Sequence, residues 1–213
     1  MAIDLYYALM SPPARAVAIL AKHLGLDVNI KELNLLAGET RTPEYLKLNP
    51  GHTVPTLVDD GFVLFESRAI LQYLANKYAS DKSLYPEEAQ ARANVDKLLF
   101  FDASSLFPAV KNVWLPKIKD NAEPPQEALD NLGEKVKILE TLLGDQQFFA
   151  GDKATIADIS FGVILSFLEK MNPEWYPSKF QAWYERLTKA VPELLEYNNK
   201  AADLYKEIME KKQ

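Results

Sequence analysis

Up to about residue 80 the apolar positions come in short runs; beyond it they recur at helical spacing over long stretches. Residues 3–7 (Ile-Asp-Leu-Tyr-Tyr) read as a strand. Pro12 suits a first helical turn, Val17, Leu20, Ala21 and Leu24 follow at helical spacing, and Gly25 closes the helix. Residues 28–33 predict a second strand, and Thr42-Pro43-Glu44 opens a short helix that ends before Pro50. The stretch "HTVPTLV" (52–58) and the run Phe62–Phe65 flank the turn residues Asp59-Asp60-Gly61, which predicts a hairpin whose first strand opens with Val54-Pro55. Proline has no N–H for a sheet ladder, so backbone groups of Val54 are left to pair with something other than the sheet. Ser67 is expected to cap a helix carrying Ile70, Tyr73, Leu74 and Tyr78. The order is β-α-β-α-β-β-α.

"ASDKSLYPEE" reads as a polar linker, so the chain divides into residues 1–80 and an all-helical part, 87–213, interrupted at "NAEPPQ", "FFAGDKAT", "NPEWYPS" and "VPE". Thr155 and Asp158 have capping-box spacing ahead of a nearly all-apolar helix, a folding element that forms the spine of this part. Phe100, Phe107 and Trp114 are spaced seven apart with Ala103 and Val110 between, a stripe that predicts core, Phe100 included. Pro108 falls inside it and is expected to bend the helix. Asp102 stands among Leu98, Leu99 and Leu106, either on the helix surface or behind a ligand.

Composition narrows the chemistry. Of 213 residues none is cysteine, which excludes disulfides, thiolate metal sites and a Cys nucleophile. The formal charge of −6, without a basic stripe, argues against nucleic acid. Only His23 and His52 occur, far apart, so no metal site is expected. The N-terminus lacks a signal-peptide pattern, and "ISFGVILSFL" is too short to span a bilayer, which needs roughly 20 residues, so no membrane partner is expected. The tail "KEIMEKKQ" reads as a solvated helix end.

Four stretches, "LYYALMSPPARAV", "LNLLAGETRTPEYLKLNPGHTVPTLVDDGFVLFESRAI", "YLANKYASDKSLYP" and "FFAGDKATIADIS", together resemble the cytosolic glutathione transferases, most of all the insect delta/epsilon group. The resemblance implies a thioredoxin-like N-terminal domain, an all-helical C-terminal domain, a homodimer and a cytoplasmic setting. Glutathione enters as co-substrate, with no further cofactor. Its thiol is conjugated to small apolar electrophiles, and reduction of organic hydroperoxides is a second activity of the same kind of site. In such proteins the proline at position 55 is cis, and Val54 pairs its backbone with the cysteinyl unit.

Residue by residue, the resemblance makes Ser11 the catalytic hydroxyl, donating to the sulfur at the positive end of a helix. A plain N-cap explains the same serine, and Tyr6 is the rival for the role. The glutathione-binding set is His52, Thr53, Val54, Glu66, Ser67 and Arg68. Ser67 takes the γ-glutamyl α-carboxylate, Glu66 the α-amine, Arg68 adds positive charge and His52 faces the glycyl end. Where related delta enzymes often carry a second histidine this chain has Thr40, which weakens that end. Met10, Pro13, Phe107, Val110 and Trp114 would form the electrophile pocket. A non-catalytic carrier of apolar ligands, or an assembly scaffold, are the alternatives on the same fold; an intact Ser11 argues against the first and intact glutathione residues against the second.

Overall fold

A computed structural model describes residues 3–171 and 175–210. Four strands, β1 (Ile3–Tyr7), β2 (Val28–Glu32), β3 (Thr56–Asp59) and β4 (Phe62–Phe65), form one sheet in the order β2-β1-β3-β4. β1 runs parallel to β2 and antiparallel to β3, with Leu5 opposite Ile30 on one side and Leu57 on the other. Ile3, Leu5 and Tyr7 point into the core while Asp4 and Tyr6 are half-buried on the other face, as strand alternation requires. Helices α1 (Pro12–His23), α2 (Pro43–Leu48) and α3 (Ser67–Tyr78) complete this thioredoxin-like half.

Among the described residues six longer helices follow: α4 (Ala89–Phe101), α5 (Phe107–Asp120), α6 (Gln126–Leu143), α7 (Ile156–Met171), α8 (Ser178–Ala190) and α9 (Glu193–Glu210). Among the described residues no helix is long and apolar enough to cross a membrane. The last three residues of the expected solvated tail, and residues 172–174 of the "NPEWYPS" break, lie outside the described residues. α1 packs on α3 and also on α7 and α9, so all ten residues from Pro12 to Ala21 are buried and the helix has no solvent face there.

Several expectations need correction. The linker stretch, residues 79–88, is itself ordered: Lys82–Leu84 form a 3-10 turn capped by Asp81, and buried Tyr85 donates to Asp96 over 2.8 Å. α3 is not capped by Ser67, which is its first helical residue; the cap position is Glu66, at φ 70°, with no side-chain cap. The bend expected at Pro108 is replaced by a π-helical turn, Asp102–Leu106, closed by the Phe107 N–H on the Asp102 carbonyl. That wider turn lets the chain continue into α5 with Pro108 in its opening turn, where the missing N–H is not needed. The inserted residue also rotates the following face by roughly 100°, which breaks the seven-residue stripe. Phe100 is therefore 70% exposed, not core. Asp102 is fully buried, which rules out the helix surface.

The capping expectation holds in its essential half. Asp158, fully buried, accepts from the Thr155 N–H and hydroxyl, the Phe149 N–H and the Trp183 indole, all at 2.9–3.0 Å.

Candidate active site

The chain leaves β1 through Ala8–Met10 and enters α1 at Ser11, whose extended backbone (φ −91°, ψ 109°) makes it the N-cap. Its hydroxyl oxygen accepts from the Ala14 N–H over 3.4 Å. Acceptance uses a lone pair only, so the hydroxyl proton remains available to a ligand. The cap and the catalytic reading are therefore compatible. The helix end itself contributes less than expected. Pro12 and Pro13 carry no N–H, Ala14 donates to Ser11, the Ser11 N–H donates to the Ala8 carbonyl, and Arg15 donates to the Ser11 carbonyl. The first turn of α1 thus has no unengaged N–H to offer an anion.

Residues 51–54 form a loop before β3, with His52 at φ 47° and a cis bond between Val54 and Pro55. The β3–β4 ladder starts at Thr56, so Val54 lies outside it. Two buried side chains that the sequence reading missed hold this loop. Asn49 donates through Nδ2 to the Thr53 carbonyl at 3.0 Å and to Thr56 Oγ1 at 3.0 Å, and its Oδ1 accepts the Gly51 N–H. Tyr45 donates its hydroxyl to the same Thr53 carbonyl. His52 and Thr53 face solvent, while Thr40, on a 3-10 turn, is buried.

At the other end of the loop-and-strand unit, Ser67 is buried and its hydroxyl accepts from Arg68. The Arg68 fork continues to Asp102, with Nε donating to Oδ2 over 3.0 Å and an ion contact of 2.8 Å to Oδ1 that lacks hydrogen-bond alignment. Ser160 donates to the same Oδ2, and Phe107 lies under the guanidinium at 5.3 Å. Asp102 is fully buried in this pair and Arg68 is mostly covered. Arg68 is neutralised by Asp102 and ties α3 to the π turn and α7, so it adds little free charge to the site.

Met10 and Trp114 meet in an apolar cleft of about 610 Å³ between the 8–10 loop, the 32–39 segment, α5 and the end of α9. The other three expected pocket residues do not line it: Pro13 and Val110 are buried, and Phe107 is occupied by Arg68. Leu35 and Leu36 form one wall, and Leu204 and Ile208, one turn apart on α9, form another. The apolar cluster Leu33, Leu35, Leu36 outside any strand or helix was the available signal for that wall. Trp114 stands edge-on to Phe167 at 5.6 Å between ring centres.

Comparison with known proteins follows the same outline. The family pattern "Glutathione S-transferase, N-terminal domain" matches residues 1–76, and "Glutathione S-transferase, C-terminal domain" matches residues 89–197. The chain is 40% identical over 197 residues to Glutathione S-transferase D7 of Drosophila melanogaster, covering 89% of this chain and 86% of that protein. A delta-class glutathione transferase of Nilaparvata lugens superposes with a TM-score of 0.90 at 36% identity, over 99% of this chain and 100% of the other. An epsilon-class enzyme of the housefly, Musca domestica, does so with a TM-score of 0.89 at 36% identity, over 99% and 98%.

Proposed function

The chain belongs to the glutathione transferase family, as an enzyme of the insect delta/epsilon type, and on that premise we propose that it conjugates glutathione to small apolar electrophiles in the cytoplasm. The observation that carries this reading is a serine hydroxyl with an uncommitted proton, Ser11, next to Met10 at the edge of an apolar cleft. Residues 1–80 bind the tripeptide, and residues 87–213 supply walls of the electrophile pocket. The α3 start, without a side-chain cap, presents N–H groups to the γ-glutamyl carboxylate beside Ser67, and Glu66 takes the amine. Arg68 acts there by holding Ser67. Val54, outside the ladder, pairs with the cysteinyl unit, and His52 and Thr53 stand exposed at the glycyl end.

In the mechanism, the Ser11 hydroxyl donates to the sulfur and favours the thiolate, which attacks the electrophilic carbon while the leaving group departs with its bonding pair. The cleft excludes water and holds that carbon near the sulfur, which is where most of the acceleration must arise. The same thiolate reduces organic hydroperoxides, consuming two glutathiones per peroxide.

Turnover of a panel of chlorinated aromatics, isothiocyanates, unsaturated aldehydes and hydroperoxides tests the reading; glutathione binding without turnover of any of them would leave a carrier. Trp114→Ala should change kcat/KM unequally across the panel, by tenfold or more for some substrates, on the order of the 1–3 kcal/mol that separates ligands in apolar pockets. Glutathione affinity should hardly move. A large fall in melting temperature with unchanged ranking would return Trp114 to the core.

A homodimer is the second part of the proposal. Phe62 on the edge strand β4 and Phe100 on α4 are exposed. Phe62 packs on Tyr73 of α3, and Gln72 of α3 bonds Asp96 of α4, so these elements share one face. A second copy seated on it would cover the aromatics. Phe100→Glu should give a monomer in sedimentation equilibrium; an unchanged dimer would move the interface elsewhere.

A further inference from the structure

One buried cation has no part in the chemistry so far. Arg15 is 1% exposed, and its side chain donates to three neutral acceptors: NH1 to the Leu9 carbonyl at 2.8 Å, NH2 to the Val163 carbonyl at 3.1 Å and Nε to Asn198 Oδ1 at 3.3 Å. No carboxylate pairs with it among the described residues. The groups around it are neutral, or acidic and exposed. Tyr7 of β1 has a buried hydroxyl without a partner, and burial raises its pKa, so it stays uncharged. Tyr184 of α8, raised likewise by burial, receives the Asn198 amide at 3.0 Å, and Tyr197 of α9 stands edge-on to Tyr7. Glu169 of α7 lines a cavity of about 70 Å³ together with Arg15 but is exposed, and Glu32 of β2, also exposed, acts on Tyr7. Burial lowers the guanidinium only to about 10, so it is a cation at neutral pH.

Its position matters because other positive sources near Ser11 are weak. The first turn of α1 has no free N–H, and Arg68 is cancelled by Asp102. Arg15 lies one turn beyond Ser11, donates its own N–H to the Ser11 carbonyl, and its fork grips Leu9, two residues before the serine. We propose that Arg15 is a positioning residue for the thiol site, its uncompensated charge favouring the ionised form of a thiol held at Ser11 while its fork fixes the loop that carries the serine. This rests on the reading of Ser11 given above. A unit charge roughly 10 Å away at an effective dielectric of about 20 moves a pKa by about one unit. The site is thereby coupled to α7 and α9, which hold the other two acceptors.

The test is the pKa of glutathione bound to the whole protein, followed by thiolate absorbance, in wild type, Arg15→Met, Arg15→Lys and Asn198→Asp. Arg15→Met should raise it by about one unit, and Arg15→Lys, which keeps the charge but not the fork, should leave it near wild type although both lose melting temperature. Asn198→Asp should raise it as well, because a carboxylate then meets Nε across the present 3.3 Å contact. That variant decides the matter if Arg15→Met does not fold. The inference falls if Arg15→Lys shifts the thiol as far as Arg15→Met, or if Asn198→Asp leaves it unchanged. A wild-type protein that leaves bound glutathione at its solution pKa would remove the reading of Ser11, and the inference with it; a lowered wild-type value with unmoved variants would remove the inference alone.

Discussion

Ser11→Ala is expected to reduce kcat/KM at pH 7 by about a hundredfold, the scale of losing one hydrogen-bond donor aimed at developing or resident charge. Glutathione affinity should stay within a few-fold, since the proposed sites for the tripeptide's carboxylates and amine lie elsewhere. The loss has two components with different pH behaviour. If the hydroxyl lowers the thiol pKa by about two units from about 8.5, the thiolate fraction at pH 7 is roughly 25-fold higher than without it. A more acidic thiol is also less nucleophilic, by roughly 6- to 10-fold at a Brønsted slope of about 0.4–0.5, so ionisation alone accounts for only a few-fold. The remainder is orientation of the sulfur. The mutant's rate should therefore climb steeply between pH 7 and 9 while the wild type stays nearly flat, and a residual gap should persist at pH 9. Removing the cap bond to Ala14 costs about 1 kcal/mol of stability, a melting shift of about 2–4 °C, too small to explain such a loss. An unchanged bound-thiol pKa, with activity falling instead in Tyr6→Phe, would transfer the role to Tyr6.

Asp102→Ala should be the most damaging single change to stability near the site. It leaves the Arg68 guanidinium, 13% exposed, without its counter-charge and strips Ser160 of its acceptor. Breaking a buried pair from one side typically costs about 3–5 kcal/mol, which for a chain of this size means a melting temperature lower by roughly 10 °C. Glutathione should also bind more weakly, because Arg68 holds the Ser67 hydroxyl. Thermal unfolding and calorimetry on one preparation give both numbers. A melting shift under about 2 °C would mean the pair contributes no more than a surface bridge.

What could be read in the sequence was whatever depends on neighbours in the chain. β1 at 3–7, the opening of α1 at Pro12, the hairpin turn and the Thr155–Asp158 element all follow from local rules of capping, turn chemistry and periodicity. What escaped depends on neighbours in space. The π turn at 102–106 shifted the phase of the aromatic stripe, so a count of seven put Phe100 inside when it lies outside. Asn49 and Tyr45 looked like ordinary residues of a short helix and its end, yet they are the hub of the 51–54 loop because β3 brings Thr56 beside them. Arg15 sits in a helix whose apolar spacing was legible, but nothing local says that α7 and α9 would cover its charged side as well. At the site, of five expected pocket members only Met10 and Trp114 line the cleft, because its other walls come from segments distant in the chain.

The placement of that cleft bears on how readily the enzyme can diverge. Its two outer walls are drawn from the edge of the molecule, with Leu36 69% exposed and Leu204 and Ile208 half-buried, whereas α1 from Pro12 to Ala21, beneath Ser11, has no free face. Substitutions on exposed positions usually stay within about ±0.5 kcal/mol, while volume changes in a close-packed helix do not. On the proposed reading, substrate range can therefore drift by single steps along 33–36 and 204–208 without threatening the fold, while the proposed thiol site remains fixed behind it. A lineage facing a new toxic compound would find its variable positions already separated from its indispensable ones.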